Sequence, residues 1–232
     1  MRHIGGRAVG RSVIRGSVTL CAAGLLTTRP PVRPSSQDPW LVLDRASAAY
    51  QATQTLTATF VQIITNPMVG EPDTTRGQLF QQRPSRFAMR FTVPAGDRIV
   101  ADGRYLWLYT PSTTPGQVIR SRIPEVGTTG PNLVGQFVER PHERYTARYV
   151  RADSGGAGWV DVVALTPRDS AQPYTSAVIW VGRGDGLVRR VDIVESGGQE
   201  RSVRLSQLRP NAVVPAREFR FTAPSGVRVV DQ

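Results

Sequence analysis

The chain has no lysine: all 29 of its basic residues are arginine. That absence reads first as a coding bias of the genome. Cysteine is nearly absent too, with Cys21 alone, so a disulfide framework is excluded. Thiolate chemistry would go with it if the N-terminal segment is cleaved. There are two histidines, His3 and His142, and neither belongs to a His/Cys cluster with metal-ligand spacing. No serine or cysteine nucleophile can be matched to a base and an orienting acid. No glycine-rich phosphate loop precedes a helix. His142 follows Pro141 in a polar run and reads as a solvated loop residue. Gly184-Asp185-Gly186 is hairpin chemistry, and Asp102 and Asp185, each before a glycine, read as turn residues. The expectation is a protein that is not an enzyme, with no catalytic residue, cofactor or metal.

The formal charge is +11, but residues 1–36 carry six arginines and no acid, which leaves +5 on the rest. No basic run interleaves with aromatics, so a nucleic-acid partner is not expected. Arg2, Arg7, Arg11 and Arg15 precede a short apolar run, Gly16 to Leu26, that contains the small residues Ala22, Ala23 and Gly24. This pattern predicts a signal peptide over about 1–26, too short to span a bilayer, and hence export. Val18 and Leu20 stand where a lipobox wants leucine and a small residue before Cys21, which argues against lipid anchoring. Residues 27–37, with Pro30, Pro31 and Pro34, read as a Pro/Ser-rich linker, and 38–232 as one domain.

Asp38 and Pro39 suit a helix start. Trp40, Leu43, Ala46 and Tyr50 then recur at helical spacing, predicting a helix to about Thr53. From Leu56 the period becomes two. Leu56, Ala58 and Phe60 alternate with Thr57, Thr59 and Val61, and Phe87, Met89 and Phe91 with Arg86, Ala88 and Arg90. Tyr105, Trp107 and Tyr109 continue the pattern, which recurs in later runs ending with Phe219–Thr222. Turn signals separate the runs, predicting about 10–11 antiparallel strands. Pro131 to Glu139, with Leu133, Val134, Phe137 and Val138, predicts a second helix inside the meander. Two amphipathic helices with a large sheet suggest a barrel-like sheet under a lid, with a greasy lumen or merely a packed core.

The ordered motifs are more specific. They begin with Leu56-Thr-Ala-Thr-Phe60-Val-Gln62, then Gly77, Leu79, Arg83-Pro84 and Phe87. They continue through Asp102-Gly103 with Leu106-Trp107, Leu165-Thr-Pro167 and Gly198-Gln199. They close with Phe219, Phe221, Pro224, Gly226-Val227 and Asp231-Gln232. Over 38–232 this set resembles the periplasmic outer-membrane lipoprotein carrier proteins, the LolA family. The resemblance implies a mainly β fold, an unclosed half-barrel with an α-helical lid over a hydrophobic cavity. It implies a monomeric periplasmic chaperone with acylated lipoprotein cargo. The cargo would be released by an inner-membrane ABC transporter and delivered to an outer-membrane receptor. The resemblance makes Arg83 the lid latch and Phe87 the partner-docking residue, and places Trp40, Leu43 and Tyr50 on the lid helix. Cavity candidates are Phe60, Leu79, Phe87, Met89, Phe91, Trp107, Leu133 and Phe137. Tyr50 stands where the family usually has a smaller aliphatic residue. A periplasmic carrier or sensor of another envelope lipid, phospholipid or glycolipid, is the alternative on the same fold.

Overall fold

Strand-period alternation can bury one face of a sheet, and this chain builds almost everything from it. The computed structural model describes residues 38–68, 70–123, 132–155 and 158–232. The expected signal peptide and linker, Cys21 and the Thr128–Pro131 lead-in to the second helix lie outside the described residues.

Helix α1 spans Pro39–Ala52. Asp38 caps it by accepting from the Trp40 amide at 2.9 Å, and Pro39 occupies the first turn, where a missing N–H costs nothing. Six strands follow as a meander: β1 (Thr55–Thr65), β2 (Asp73–Gln82), β3 (Arg86–Val93), β4 (Ala95–Asp102), β5 (Tyr105–Tyr109) and β6 (Gln117–Arg122). Two single-turn helices, α2 (Gly135–Val138) and α3 (Pro141–Arg144), lead to a second meander. Its strands are β7 (Tyr145–Gly155), β8 (Gly158–Pro167), β9 (Tyr174–Gly182), β10 (Val188–Glu195) and β11 (Glu200–Pro210). A 3-10 turn at Ala216–Phe219 and the short strand β12 (Arg228–Asp231) end the chain.

All twelve strands form one unclosed sheet in the order β12-β6-β5-β4-β3-β2-β1-β11-β10-β9-β8-β7. The two meanders join where β1 pairs antiparallel with β11, Phe60 opposite Leu205. Gly77 in β2 shows how close the strands run. A Cβ there would lie 2.1 Å from the Arg90 carbonyl oxygen and 2.8 Å from the Phe60 ring.

Several details depart from the sequence expectation. The described residues form twelve strands, and the last is parallel: β12 pairs with β6 from Arg228 opposite Gln117 to Asp231 opposite Arg120. Phe219–Thr222 is not a strand. Pro215 precedes it and Pro224 follows, neither able to donate to a ladder, and the segment crosses the sheet's outer face as a turn and extended chain. The helix expected to run to Glu139 is instead two short ones. Glu139 is extended, Arg140 is left-handed at φ 49°, and Pro141 starts a new turn.

The sheet carries apolar residues on both faces. The inner face holds the main core, in which Leu43, Ala46 and Tyr50 of α1 and Phe137 and Val138 of α2 pack with Phe60, Leu79, Phe87 and Met89. The outer face holds a smaller cluster of Ala88, Val100 and Phe219, flanked by Phe80, Trp107, Val214 and Phe221. The C-terminal strap, residues 211–232, covers that cluster. Phe221 packs at a tilt against Trp107 at 5.4 Å and Tyr109 at 5.5 Å. The strap is tied at its start, where Asn211 Oδ1 accepts from the Gln54 amide at 2.8 Å. It is tied at its end by the β12–β6 ladder and by Arg120, which donates to both carboxylate oxygens of Asp231 at 2.5 and 2.8 Å.

Candidate functional site: the inner face and its helical cover

The inner face is built by residues two apart. Phe87, Met89 and Phe91 of β3 alternate inward, beside Leu79 of β2 and Phe60 of β1; Phe60 and Phe91 meet edge to face at 5.1 Å. Phe60 and Leu79 are fully buried, as is Phe137 from α2; Leu133 is half-buried against them. Val163 and Leu165 of β8, Ile179 of β9 and Val191 of β10 continue the surface. At one end lies a polar pair, Tyr145 and Tyr174, whose hydroxyls are 2.6 Å apart. The Tyr145 hydroxyl also lies 2.7 Å from the Gln136 carbonyl of α2. Burial, and then the contact with Tyr174, push the Tyr145 phenol far up, so it stays neutral.

Two of the expected roles stand differently, the cavity role of Trp107 and the docking role of Phe87. Trp107 faces the other way. Its indole Nε1 donates to Asp102 at 2.8 Å and its ring lies under Phe221, because Trp107 pairs with Val100, an outer-face residue. Its alternation partner Leu106 packs against the inner core instead. Phe87 is 3% exposed, so in this conformation it belongs to the interior and presents no surface to a docking partner. Among the described residues little free space lies beneath α1. The pocket between α1 and the sheet, beside Tyr50, Leu56, Val134 and Leu208, has a volume of about 20 Å³. That is room for a water molecule, not an acyl chain.

The cover is held by side chains. Of the expected helix residues, Leu43 and Tyr50 are buried, while half-exposed Trp40 stacks on His142 of α3 at 4.3 Å. His142 Nε2 lies 2.7 Å from Asp44, so α1 and α3 are joined. Asn132 donates to the Tyr50 hydroxyl, which ties α1 to the start of α2. Burial, with Glu139 close by, keeps the Tyr50 phenol neutral and well above its ordinary range. Arg83 sits at the β2–β3 turn. Its Nη1 donates to the Gln51 carbonyl at 2.8 Å and to the Tyr50 carbonyl at 3.3 Å, and its guanidinium lies over the Tyr50 ring at 4.9 Å. Both carbonyls lie in the last turn, at the negative end of the helix dipole; the Tyr50 carbonyl also accepts from the Thr53 amide at 3.1 Å.

Sequence reasoning missed a second attachment. Asp161 in β8 is 1% exposed, and it accepts from Arg45 of α1, from Arg183 of the β9–β10 hairpin and from the Tyr149 hydroxyl. Burial alone would raise its carboxyl; the hydrogen bonds from Arg183, Arg45 and Tyr149 together hold it below the usual carboxylate range. The signal was present: one acid at an inward position of the otherwise apolar run Val160-Asp161-Val162-Val163. The same hairpin also touches α1 through Gly186, at φ +69°. A Cβ there would lie 2.8 Å from the Arg45 carbonyl oxygen and 2.9 Å from Ala49 Cβ.

Among the described residues no helix is long and apolar enough to cross a membrane. A family model described as outer membrane lipoprotein carrier protein LolA matches residues 51–222. The outer-membrane lipoprotein carrier protein of Leptothrix cholodnii is 30% identical over 184 residues, covering 78% of this chain and 82% of that one. That of Methylobacillus flagellatus is 24% identical over 198 residues, covering 84% and 93%. Among solved structures, an uncharacterized conserved protein from Thermus thermophilus superposes with a TM-score of 0.53 at 12% identity, over 83% of this chain and 98% of that one, a likeness of fold. With its twelve-stranded unclosed sheet and helical cover, this chain belongs to the LolA family of outer-membrane lipoprotein carrier proteins.

Proposed function

We propose that the protein is a periplasmic chaperone that binds the acyl chains of lipoproteins between its inner face and the helices α1–α3. In this reading it catalyses no reaction and works as a monomer. It receives cargo released from the inner membrane by an ABC transporter and passes it to an outer-membrane receptor. The observation that carries the proposal is the row Phe60, Leu79, Phe87, Met89 and Phe91, sealed by helices that add no strand to the sheet.

The energetics suit a carrier. Each buried methylene contributes about 0.8 kcal/mol, so one fully buried acyl chain is worth on the order of 10 kcal/mol. A carrier keeping all of that would not release its cargo. Here the acyl chains must displace a packed interior and detach α1 from Arg83, which offsets part of the gain. The closed structure is then the empty state, and Phe87 reaches a partner once the cover lifts.

Mass spectrometry of material that co-purifies with the exported protein, without detergent, tests this. Acylated lipoprotein bound one to one is the expected result. Phospholipid or glycolipid in its place would move the function to transport of another envelope lipid. A protein that is empty and refuses added lipoprotein would reduce the inner face to a structural core.

A further inference from the structure

We infer that Asp161 is a second fastening for helix α1, acting through Arg45 and built to let go without stranding a charge. This rests on the reading of α1 as a movable cover.

The two carboxylate oxygens are divided. Oδ1 accepts from Arg183 Nη2 at 2.7 Å, Arg183 Nε at 2.9 Å and the Tyr149 hydroxyl at 3.1 Å. All three of these donors belong to the sheet side, from β7 and the β9–β10 hairpin. Oδ2 accepts from Arg45 Nη2 of the helix at 2.8 Å. When α1 lifts, Asp161 keeps its sheet partners and exposes one oxygen to water. A buried pair is costly to break when one charge is left uncompensated; this arrangement avoids that. The helix partner favours release as well. Arg45 Nε is buried with no hydrogen-bond acceptor among the described residues, and lifting would hydrate it.

The placement adds control that Arg83 alone does not give. Arg83 holds the last turn of α1 at Tyr50 and Gln51, whereas Arg45 lies near the middle, five to six residues earlier and roughly 8 Å along the axis. One attachment permits the helix to pivot; two fix its angle over the inner face. The first turn is joined through His142 to α3, which runs directly into β7, so it is tethered at the sheet's edge, while Arg45 fastens the middle of the helix over the sheet. Arg45 and Asp161 are therefore positioning residues that set how far α1 swings, while Arg83 sets whether its C-terminal end is down.

Amide exchange of the full protein without cargo, read by mass spectrometry over Val42–Tyr50, tests the inference, with β1 and β11 as internal references. Removing one charge-assisted hydrogen bond supports an increase of about tenfold in α1 exchange for Arg45→Gln. The references and the unfolding midpoint should stay as in the wild type. Arg45→Lys should restore most of the protection, and Arg45→Gln should add little in an Asp161→Asn background. Wild-type α1 exchange in Arg45→Gln would overturn the inference. So would an increase that β1 and β11 share, since that would make the pair a general stabiliser. Arg45 is partly exposed, so its variants fold even if Asp161→Asn does not. Because no cargo is present, failure here leaves the carrier reading standing, and failure to capture lipoprotein leaves this result standing.

Discussion

The sheet has two covered faces, and they are covered by opposite means. On the outer face the C-terminal strap becomes part of the sheet. β12 lies parallel against β6, with the Arg228 amide donating to Gly116 at 2.9 Å and the Gln232 amide to Arg120 at 3.0 Å. On the inner face α1 joins no ladder; it is fastened by side-chain bonds, chiefly from Arg83 to its last-turn carbonyls and from its own Arg45 to Asp161. A strap that leaves gives up ladder hydrogen bonds and an aromatic stack together. A helix that leaves exposes Val42, Leu43, Ala46 and Tyr50 and gives up side-chain bonds, but it breaks no ladder. The inner cover is the one that can separate from the sheet without breaking a ladder, and it lies over the larger apolar surface, so what it uncovers must be buried again by something apolar.

The sharpest way to break this comparison is to weaken the strap. Phe219 is 2% exposed and packs on Ala88 and Val100. Phe219→Ala should lower global stability by about 3–5 kcal/mol through lost burial and a residual cavity. Urea unfolding measures it, with β2–β5 and the strap losing exchange protection together. A small loss confined to residues 216–222 would mean that the strap is as detachable as the helix.

Arg83→Leu should act on the other face with the smaller effect. Two carbonyl contacts from a charged donor are worth about 1–3 kcal/mol. The substitution should therefore raise exchange in the last turn of α1 while leaving the unfolding midpoint within a few degrees. Transfer of bound lipoprotein to a receptor should change in the same variant. Unchanged exchange at Tyr50–Ala52 would remove Arg83 from the attachment.

Much of the inner face was legible because alternation in β1 and β3 carries its own register: Phe60, Phe87, Met89 and Phe91 need only strand geometry to point the same way. The start of α1 was legible from Asp38-Pro39 for the same local reason. Trp107 was misplaced because alternation fixes which residues share a face but not which face is inner. Leu106 and Trp107 exchange roles only once the strap supplies an apolar partner from more than a hundred residues away. Within the strap, Phe219–Thr222 reads as a strand in sequence because its aromatic spacing imitates one; Pro215 and Pro224 are the contrary signal. Asp161 escaped because its three partners come from α1, β7 and the β9–β10 hairpin, a convergence that exists only in the folded sheet.

Acid should separate the two attachments of α1. The folded Asp161 carboxyl sits below its unfolded value of about 3.9. Its contribution is therefore full above that pH and disappears as pH falls through the folded value. Intrinsic-rate-corrected exchange at Arg45 should rise over that window, and the rise should be absent in Asp161→Asn. Arg83 bonds carbonyls, which do not titrate, so exchange at Tyr50–Ala52 should respond less. Equal acid sensitivity at both places would mean that the helix lifts as one rigid piece.

The smallest effect should come from the contact that looks strongest on the outer face. Arg120 and Asp231 are bidentate, and Arg120 holds the Asp231 carboxyl below its usual range, chiefly by hydrogen bonding. Yet Asp231 is 63% exposed, so water and salt compete for it. Asp231→Asn should leave the urea midpoint unchanged within error, at low salt and in high salt alike, and should leave strap exchange as in the wild type. The reason is the one that separates the two faces: the strap is held by its ladder and by Phe219 and Phe221, so its ion pair is dispensable. The comparable bond from Arg45 is not, because α1 has no ladder behind it. If Asp231→Asn instead released β12, the strap too would hang on a side-chain fastening, and the outer face would need to be read as a second movable cover.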